Sequence, residues 1–294
     1  MTGTAPARQP DLVTRLGGSA VPLGVRSGVV LTLVSLAGLA MFCWPLLTRH
    51  GPSTAGHVTD APIVFAVSLP LLVLVVLAEF ADGGMDSKAL AMLGVLSAVD
   101  AALRPTGGGA GGIETVFFLL ILAGRVFGPG FGFVLGCTSL FASALLTAGV
   151  GPWLPFQMLC SAWIGMGAGL LPRRVRGVRE IVMLICFGVA AAYLFGALMN
   201  LYGWPFLAGA DISGHDGLAF VPADSLWSNL HRFLVYTLLT STGGWDTGRA
   251  ITNAIAIALL GRPVLSLLRR AARRASYDPI RTNPTRTNPT RTNA

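Results

Sequence analysis

The stretch GVGPWLPFQMLCSAWIGMGAGLLPRRVRG, Gly149 to Gly177, decides the fold class. From Pro152 to Pro172 it carries no charge, a run long enough for a membrane-spanning helix. It then stops at Arg173, Arg174 and Arg176, the basic flank expected on the cytoplasmic side of a span. Lipid asks only for bulk apolar side chains. This segment instead opens with Pro152, Trp153 and Pro155, carries a lone Gln157, and places small residues at Ser161, Gly165 and Gly169. Such a helix is built to touch something other than lipid.

The rest of the chain follows the same pattern. Gly28–Leu47, Ala61–Ala78, Val126–Gly149 and Ile181–Ala210 also lack Asp, Glu, Lys and Arg. Of the 294 residues, 53% are hydrophobic and 12% charged, where soluble domains average roughly a quarter charged. These features predict an all-α polytopic membrane protein. The net charge of +8 does not point to nucleic acid. Its arginines gather in the N-terminal segment, in 173–179 and in 269–274, beside apolar spans. Residues 1–27 lack the apolar run and cleavage site of a signal peptide. Cys43, Cys137, Cys160 and Cys186 fall in separate spans, which favours buried apolar roles over disulfides or a metal.

Spans are predicted at 28–47, 61–79, 88–103, 113–127, 131–149, 155–172, 180–201 and 246–268. With the N-terminus in the cytoplasm, 172–179 returns inside after six spans, and 269–274 returns inside after eight. Both termini are then cytoplasmic, in a multi-pass protein of the plasma membrane. The stretch 226–242 carries His231 and Arg232 and is expected to lie at the outer interface or fold back on the bundle. The expected divisions are a cytoplasmic segment, 1–27; two plain apolar helices, 28–86; a six-span core, 87–274; and a tail, 275–294, whose RTNPT repeat is too polar to order.

Three small-residue stripes run at i, i+4 spacing: Gly94-Ala98-Ala102, Gly128-Gly132-Gly136 and Ser161-Gly165-Gly169. Each permits close backbone approach, either inside the bundle or to another membrane protein. Asp100 and Arg104 are four apart and read either as an ion pair or as cavity-facing groups. Glu114 opens a span that Arg125 closes, and a glycine-rich loop, 107–112, precedes it. That loop lacks G-K-[ST], and the single lysine of the chain is Lys88, so no ATP-hydrolysing P-loop exists. Trp153 and Phe156 read as interfacial anchors or as a stacking surface, and Gln157 as a polar contact one turn into its span. In 241–254 a turn is expected, then a helix with Asp246 as N-cap and Arg249 as its i+3 partner. Trp245, Asn253 and, by depth, Asn200 are candidates for the same pocket. No catalytic motif and no metal-ligand pattern is found.

Four segments carry a family resemblance: AMLGVLSAVDAALRP (91–105), FFLLILAGRVFGPGFGFVLG (117–136), GPWLPFQM (151–158) and GWDTGRAITNA (244–254). Together they resemble the substrate-binding (S) components of energy-coupling factor (ECF) vitamin transporters, especially the actinobacterial group compared with cobalamin S components. The resemblance implies a six-helix S-component core preceded by two extra transmembrane helices. It implies a capture subunit without enzyme activity or cofactor, which takes a vitamin from outside. Its partners would be an ECF transmembrane coupling subunit and two ATPases, and it would topple in the bilayer to release cargo. The family's A-x-x-x-A docking motif is matched by Ala98 and Ala102, with Gly94 extending the stripe. The implied substrate-binding residues are Glu114, Trp153, Phe156, Gln157, Asn200, Trp245, Asp246 and Asn253. Thr2 stands where nickel and cobalt S components carry histidine, which counts against a metal cargo. The alternative is a self-contained proton-coupled transporter using Asp100, Glu114 and Arg125.

Overall fold

A computed structural model describes residues 25–47, 67, 71, 87–106, 113–207, 217–221 and 224–276. Among them every regular element is helical. The α-helices are α1 (Val25–Leu47), α2 (Ser87–Thr106), α3 (Val116–Phe127), α4 (Pro129–Leu146), α5 (Leu154–Leu170), α6 (Val178–Gly203), α7 (Leu226–Thr237) and α8 (Thr247–Ser276). A 3-10 turn, Trp204–Leu207, follows α6, and a π-helical segment, Leu238–Asp246, joins α7 to α8. The second predicted span (61–79), the glycine-rich loop 107–112 and the repeat tail lie essentially outside the described residues.

Apolar composition sorts the helices by depth. Helix α3 is apolar all round and buries Val116 to Arg125 and Phe127, so it is the central element of the bundle. Its 12 residues span only about 18 Å at ~1.5 Å per residue. Helix α4, helix α6 and the continuous run Leu226–Arg274 are long and apolar enough to cross a membrane. Helix α6, at 26 residues, reaches about 39 Å against a hydrocarbon core of about 30 Å.

Two of the three small-residue stripes interlock. A side chain at Gly132 would strike the backbone of Gly165 and Gly124, and one at Gly136 would strike Ser161 and Ala162. Gly169 faces Gly128 and Pro129 in the same way. Helices α3, α4 and α5 therefore meet backbone to backbone, and the in-bundle reading holds for both stripes. A single residue, Gly128, separates α3 from α4, and its φ of 109° is one that side-chain-bearing residues rarely adopt. Pro129 then starts α4 at a position that tolerates its missing N–H.

Helix α1, which precedes the residues expected to form the core, packs on the bundle. Phe42 is fully buried, with its ring centroid 4.9 Å from Phe156 and 5.9 Å from Trp163. Trp163 Nε1 donates to Ser35 Oγ at 2.9 Å. Gly38 lets Leu159 of α5 press against the α1 backbone.

The stretch 226–242 is helical, packs on the bundle and runs on without a break into α8. Ser225 caps α7 by accepting from the Ser228 N–H at 3.1 Å. Phe233 packs on the fully buried Trp204 together with Phe220. The turn expected at 241–246 is not formed. The helix instead widens into the π segment and continues, so Asp246 is not an N-cap.

Candidate functional site

Polar side chains gather at the two ends of the bundle. At the end where α3 begins, Glu114 just precedes the helix and accepts from Arg249 Nε at 2.5 Å. Arg249 Nη1 donates to Asp246 Oδ1 at 3.0 Å. Asp246 Oδ2 accepts from Ser241 Oγ at 2.8 Å, across the π segment. The widened turn thus brings Ser241 and Asp246 together, in keeping with the frequent appearance of π-bulges at functional sites. Asp246 packs directly on the Gly196 backbone of α6, where any larger residue would collide with its carboxylate.

Two rings enclose the cation. The Arg249 guanidinium carbon lies 4.7 Å from the Phe195 ring centroid and 5.7 Å from that of Phe117. Asn253, one turn further along α8, donates both of its Nδ2 bonds to backbone, to Arg249 O at 2.8 Å and Glu114 O at 3.2 Å. Its Oδ1 is buried and finds no partner among the described residues. The same holds for Asn200 Nδ2.

The structure thus joins Glu114, Asp246 and Asn253 around Arg249. It does not bring every candidate there. Gln157 Oε1 instead accepts from Arg104 Nη2 at 2.9 Å. Phe156 is buried between Phe42 and Tyr202, whose ring centroid is 4.0 Å away. Trp153 and Trp245 are exposed. The expected Asp100–Arg104 ion pair does not form. Asp100 is wholly buried against Ser139 of α4, with neither oxygen bonded to a described residue. Outside the membrane-facing segments, Arg232 beside Asp224 and the Ser225 N–H hold the Asp224 carboxyl below the usual carboxylate range.

Sequence reasoning treats Arg249 as a structural partner of Asp246 and passes over Phe117, Phe195, Gly196 and Ser241. The i+3 spacing is a readable signal for the Arg249 pair. Nothing in one chain's spacing announces that Gly196 on another helix must be small to seat Asp246.

The opposite end carries a different cluster. Arg125 closes α3, donates to Glu180 Oε1 at 2.8 Å, and caps the carbonyls of Leu171, Pro172 and Val175 at 2.9 to 3.1 Å. Arg269 of α8 reaches the same Glu180 oxygen at 2.6 Å. This is a clamp: the Glu180 carboxylate ties α3, α6 and α8 together, and Arg125 adds the end of α5 through the Leu171 carbonyl.

Among the described residues, nothing covers the Gly94-Ala98-Ala102 stripe of α2. Ala98 and Ala102 are exposed, and a side chain at Gly94 would meet nothing. A groove of about 590 Å³ continues that face, lined by Ala91, Met92 and Val95 of α2 and by Leu267 and Arg270 of α8.

No curated protein and no solved structure matches the chain. A family model does match, over residues 88–261, more than half of the 294-residue sequence, and its description is the substrate-specific component of ECF transporters. The match spans the outward stripe of α2, the interlocked stripes of α4 and α5, and the Glu114–Arg249–Asp246 cluster. By that match the chain belongs to the family of ECF transporter substrate-specific components, and it is a membrane-embedded transport subunit.

Proposed function

We propose that this subunit captures a vitamin, with cobalamin as the candidate, at the end of the bundle that holds Glu114, Asp246, Arg249 and Asn253. It then passes its cargo through a separate module made of a transmembrane coupling subunit and two ATPases. The observation that carries this reading is the fate of the small-residue stripes. Two are consumed by packing inside the bundle, while Gly94, Ala98 and Ala102 stay open on α2. In lipid, an open ribbon of small residues favours close approach of a partner helix. The groove between α2 and α8 extends the same face toward the arginine-rich end of α8. Residues of the capture site are contributed by the start of α3, the late part of α6 and the start of α8. Trp245 and Trp153, both exposed, stand at its rim in this reading.

The second reading, a self-contained proton-coupled carrier, draws support from Asp100, a wholly buried carboxylate with no described partner. The other two groups it needs argue against it. Glu114 and Arg125 stand at opposite ends of α3, and each is already bound in its own cluster. Proteoliposomes separate the two. The chain alone, under a proton gradient, accumulates nothing if it is a capture subunit, and accumulates once the coupling subunit, ATPases and ATP are added. Uphill uptake by the chain alone overturns the proposal.

A further inference from the structure

A groove opens between α2 and α8 at the arginine-rich end of the bundle. Helix α2 packs on α3 and α4, and α8 packs on α3 and α6, so the groove is the gap left between them. The two helices run in opposite directions, since the end of α2 and the start of α8 meet near Glu114 and Thr115. Each turns one face to the gap. Lys88, Met92 and Val95 line it from α2, and Leu267, Arg270 and Arg274 from α8. Spacings of three, four and seven place each trio on one side of its helix. Seven residues of helix cover about 10 Å. Val95 and Leu267 therefore lie deepest, toward the middle of the bundle, and Lys88 and Arg274 stand at the mouth. Val95 and Leu267 are both exposed, so no described residue shields them from the bilayer.

The charge of the groove is one-sided. Its described lining holds three cations and no Asp or Glu. The carboxylate at this end, Glu180, is buried and already held by Arg125 and Arg269. Arg270 and Arg274 are exposed and make no hydrogen bond or ion pair to a described residue. A guanidinium pairs with a phosphate through two parallel N–H···O bonds. Basic gaps between helix ends at headgroup depth bind anionic lipid headgroups. The apolar depth fixes which kind of anion fits. Free phosphate has no use for Val95 and Leu267. A phospholipid does, because its acyl chains continue from the headgroup into the bilayer. A partner helix is the poorer fit, since it approaches most closely over small residues. Those lie further along α2, at Gly94, Ala98 and Ala102, whereas the groove presents long cationic side chains.

We infer that the groove between α2 and α8 holds an anionic glycerophospholipid, with its phosphate on Arg270, Arg274 and Lys88 and its acyl chains along Val95 and Leu267. The inference is independent of which cargo the opposite end takes. The test is native mass spectrometry of the full-length chain with dioleoyl phosphatidylglycerol and dioleoyl phosphatidylcholine added in equal amounts. The two lipids share their chains and differ in net charge. The expected result is a preference for phosphatidylglycerol of roughly 10-fold. Arg270→Gln/Arg274→Gln is expected to abolish the preference. Arg262→Gln/Arg273→Gln removes the same charge from exposed positions of α8 outside the groove and is expected to keep it. Leu267→Trp fills the apolar depth with every cation in place and is expected to lower retention of phosphatidylglycerol. Glycerol phosphate, the headgroup without chains, is expected not to compete. A thermal melt of each variant confirms folding. Equal retention of the two lipids, equal loss in both double variants, or displacement by glycerol phosphate overturns the proposal. The first reduces the groove to an ordinary lipid-facing gap, the second to bulk surface charge, and the third to a site for soluble anions. If Arg270→Gln/Arg274→Gln keeps its phosphatidylglycerol and loses the coupling subunit in co-purification, the groove is a protein interface and the proposal falls.

Discussion

Helices α2 and α4 carry the same device, small residues four apart, and use it in opposite ways. On α4, Gly132 and Gly136 are pressed against the backbone of Gly165 and Ser161, with no room for a single added carbon. On α2, Gly94 has open space around it and Ala98 and Ala102 are exposed. Spacing alone cannot tell the two apart, because both satisfy the geometric condition for close approach. What separates them is whether a partner helix stands against the stripe among the described residues. The α4 stripe has found α5. The α2 stripe has no partner among the described residues.

The sharpest way to break this contrast is to fill each stripe. Gly132→Leu or Gly165→Leu forces backbones apart at the centre of the bundle, an overpacked position with no flexible side chain to yield. Such changes belong with the largest single-residue losses, above about 4 kcal/mol. The expected outcome is loss of the monodisperse peak in detergent chromatography. Gly94→Leu, at the same spacing on α2, is expected to leave both the peak and the melting temperature unchanged. Equal damage at both positions would remove the distinction.

The two ion clusters form a second pair of opposites. Arg125 and Arg269 share one carboxylate, Glu180, and Arg125 also caps three carbonyls. That end is saturated. At the Arg249 end, Asn253 Oδ1 and Asn200 Nδ2 have no partner among the described residues. A buried polar atom without a partner calls for one, and in the capture reading the cargo supplies it. Arg125→Met takes one of its two cations from Glu180, which is 2% exposed, and uncaps three carbonyls, and the general cost of breaking a buried pair is about 3–5 kcal/mol. A large drop in melting temperature with unaltered cargo affinity in the surviving fraction is expected. Arg249→Met strands Asp246, which is 1% exposed, so it is expected to lower the melting temperature and, unlike Arg125→Met, to weaken cargo binding as well.

Helix α1 sharpens the comparison further, since it lies outside residues 88–261, the stretch the family model matches. Phe42→Ala empties a fully buried aromatic position beside Phe156. A loss of roughly 3 kcal/mol, at the lower end for buried phenylalanine, is expected in a thermal or denaturant melt. Ser35→Ala removes one hydrogen bond to Trp163, and about 1 kcal/mol with it. If neither variant moves the melt, α1 is an appendage with no part in holding the core.

Much of this architecture is written in the chain. The predicted spans 131–149, 155–172 and 180–201 locate α4, α5 and α6 to within a few residues, because a bilayer demands length and apolarity together. The arginines of 173–176 and 269–274 fall beside helix ends as expected. The Asp246–Arg249 pair is legible from its i+3 spacing. Other features are decided by groups far apart in sequence. Glu114 reaches Arg249 across 135 positions, and Gln157 takes Arg104 away from Asp100, leaving the expected i,i+4 pair unmade. The stretch 241–246 holds Thr242, Gly243 and Gly244 and reads as a turn. Tertiary contacts of Asp246 with Gly196 and Arg249 hold it as a widened helix instead. Local turn chemistry is weaker than that burial.

The account depends most on α2 being an unfilled docking face. The measurement is co-purification of the transmembrane coupling subunit with the Ala98→Trp/Ala102→Trp double variant, alongside cargo binding to the variant by itself. Loss of the coupling subunit with cargo affinity within twofold of wild type is the predicted result. Retention of the coupling subunit, or parallel loss of cargo binding in a folded variant, would contradict it.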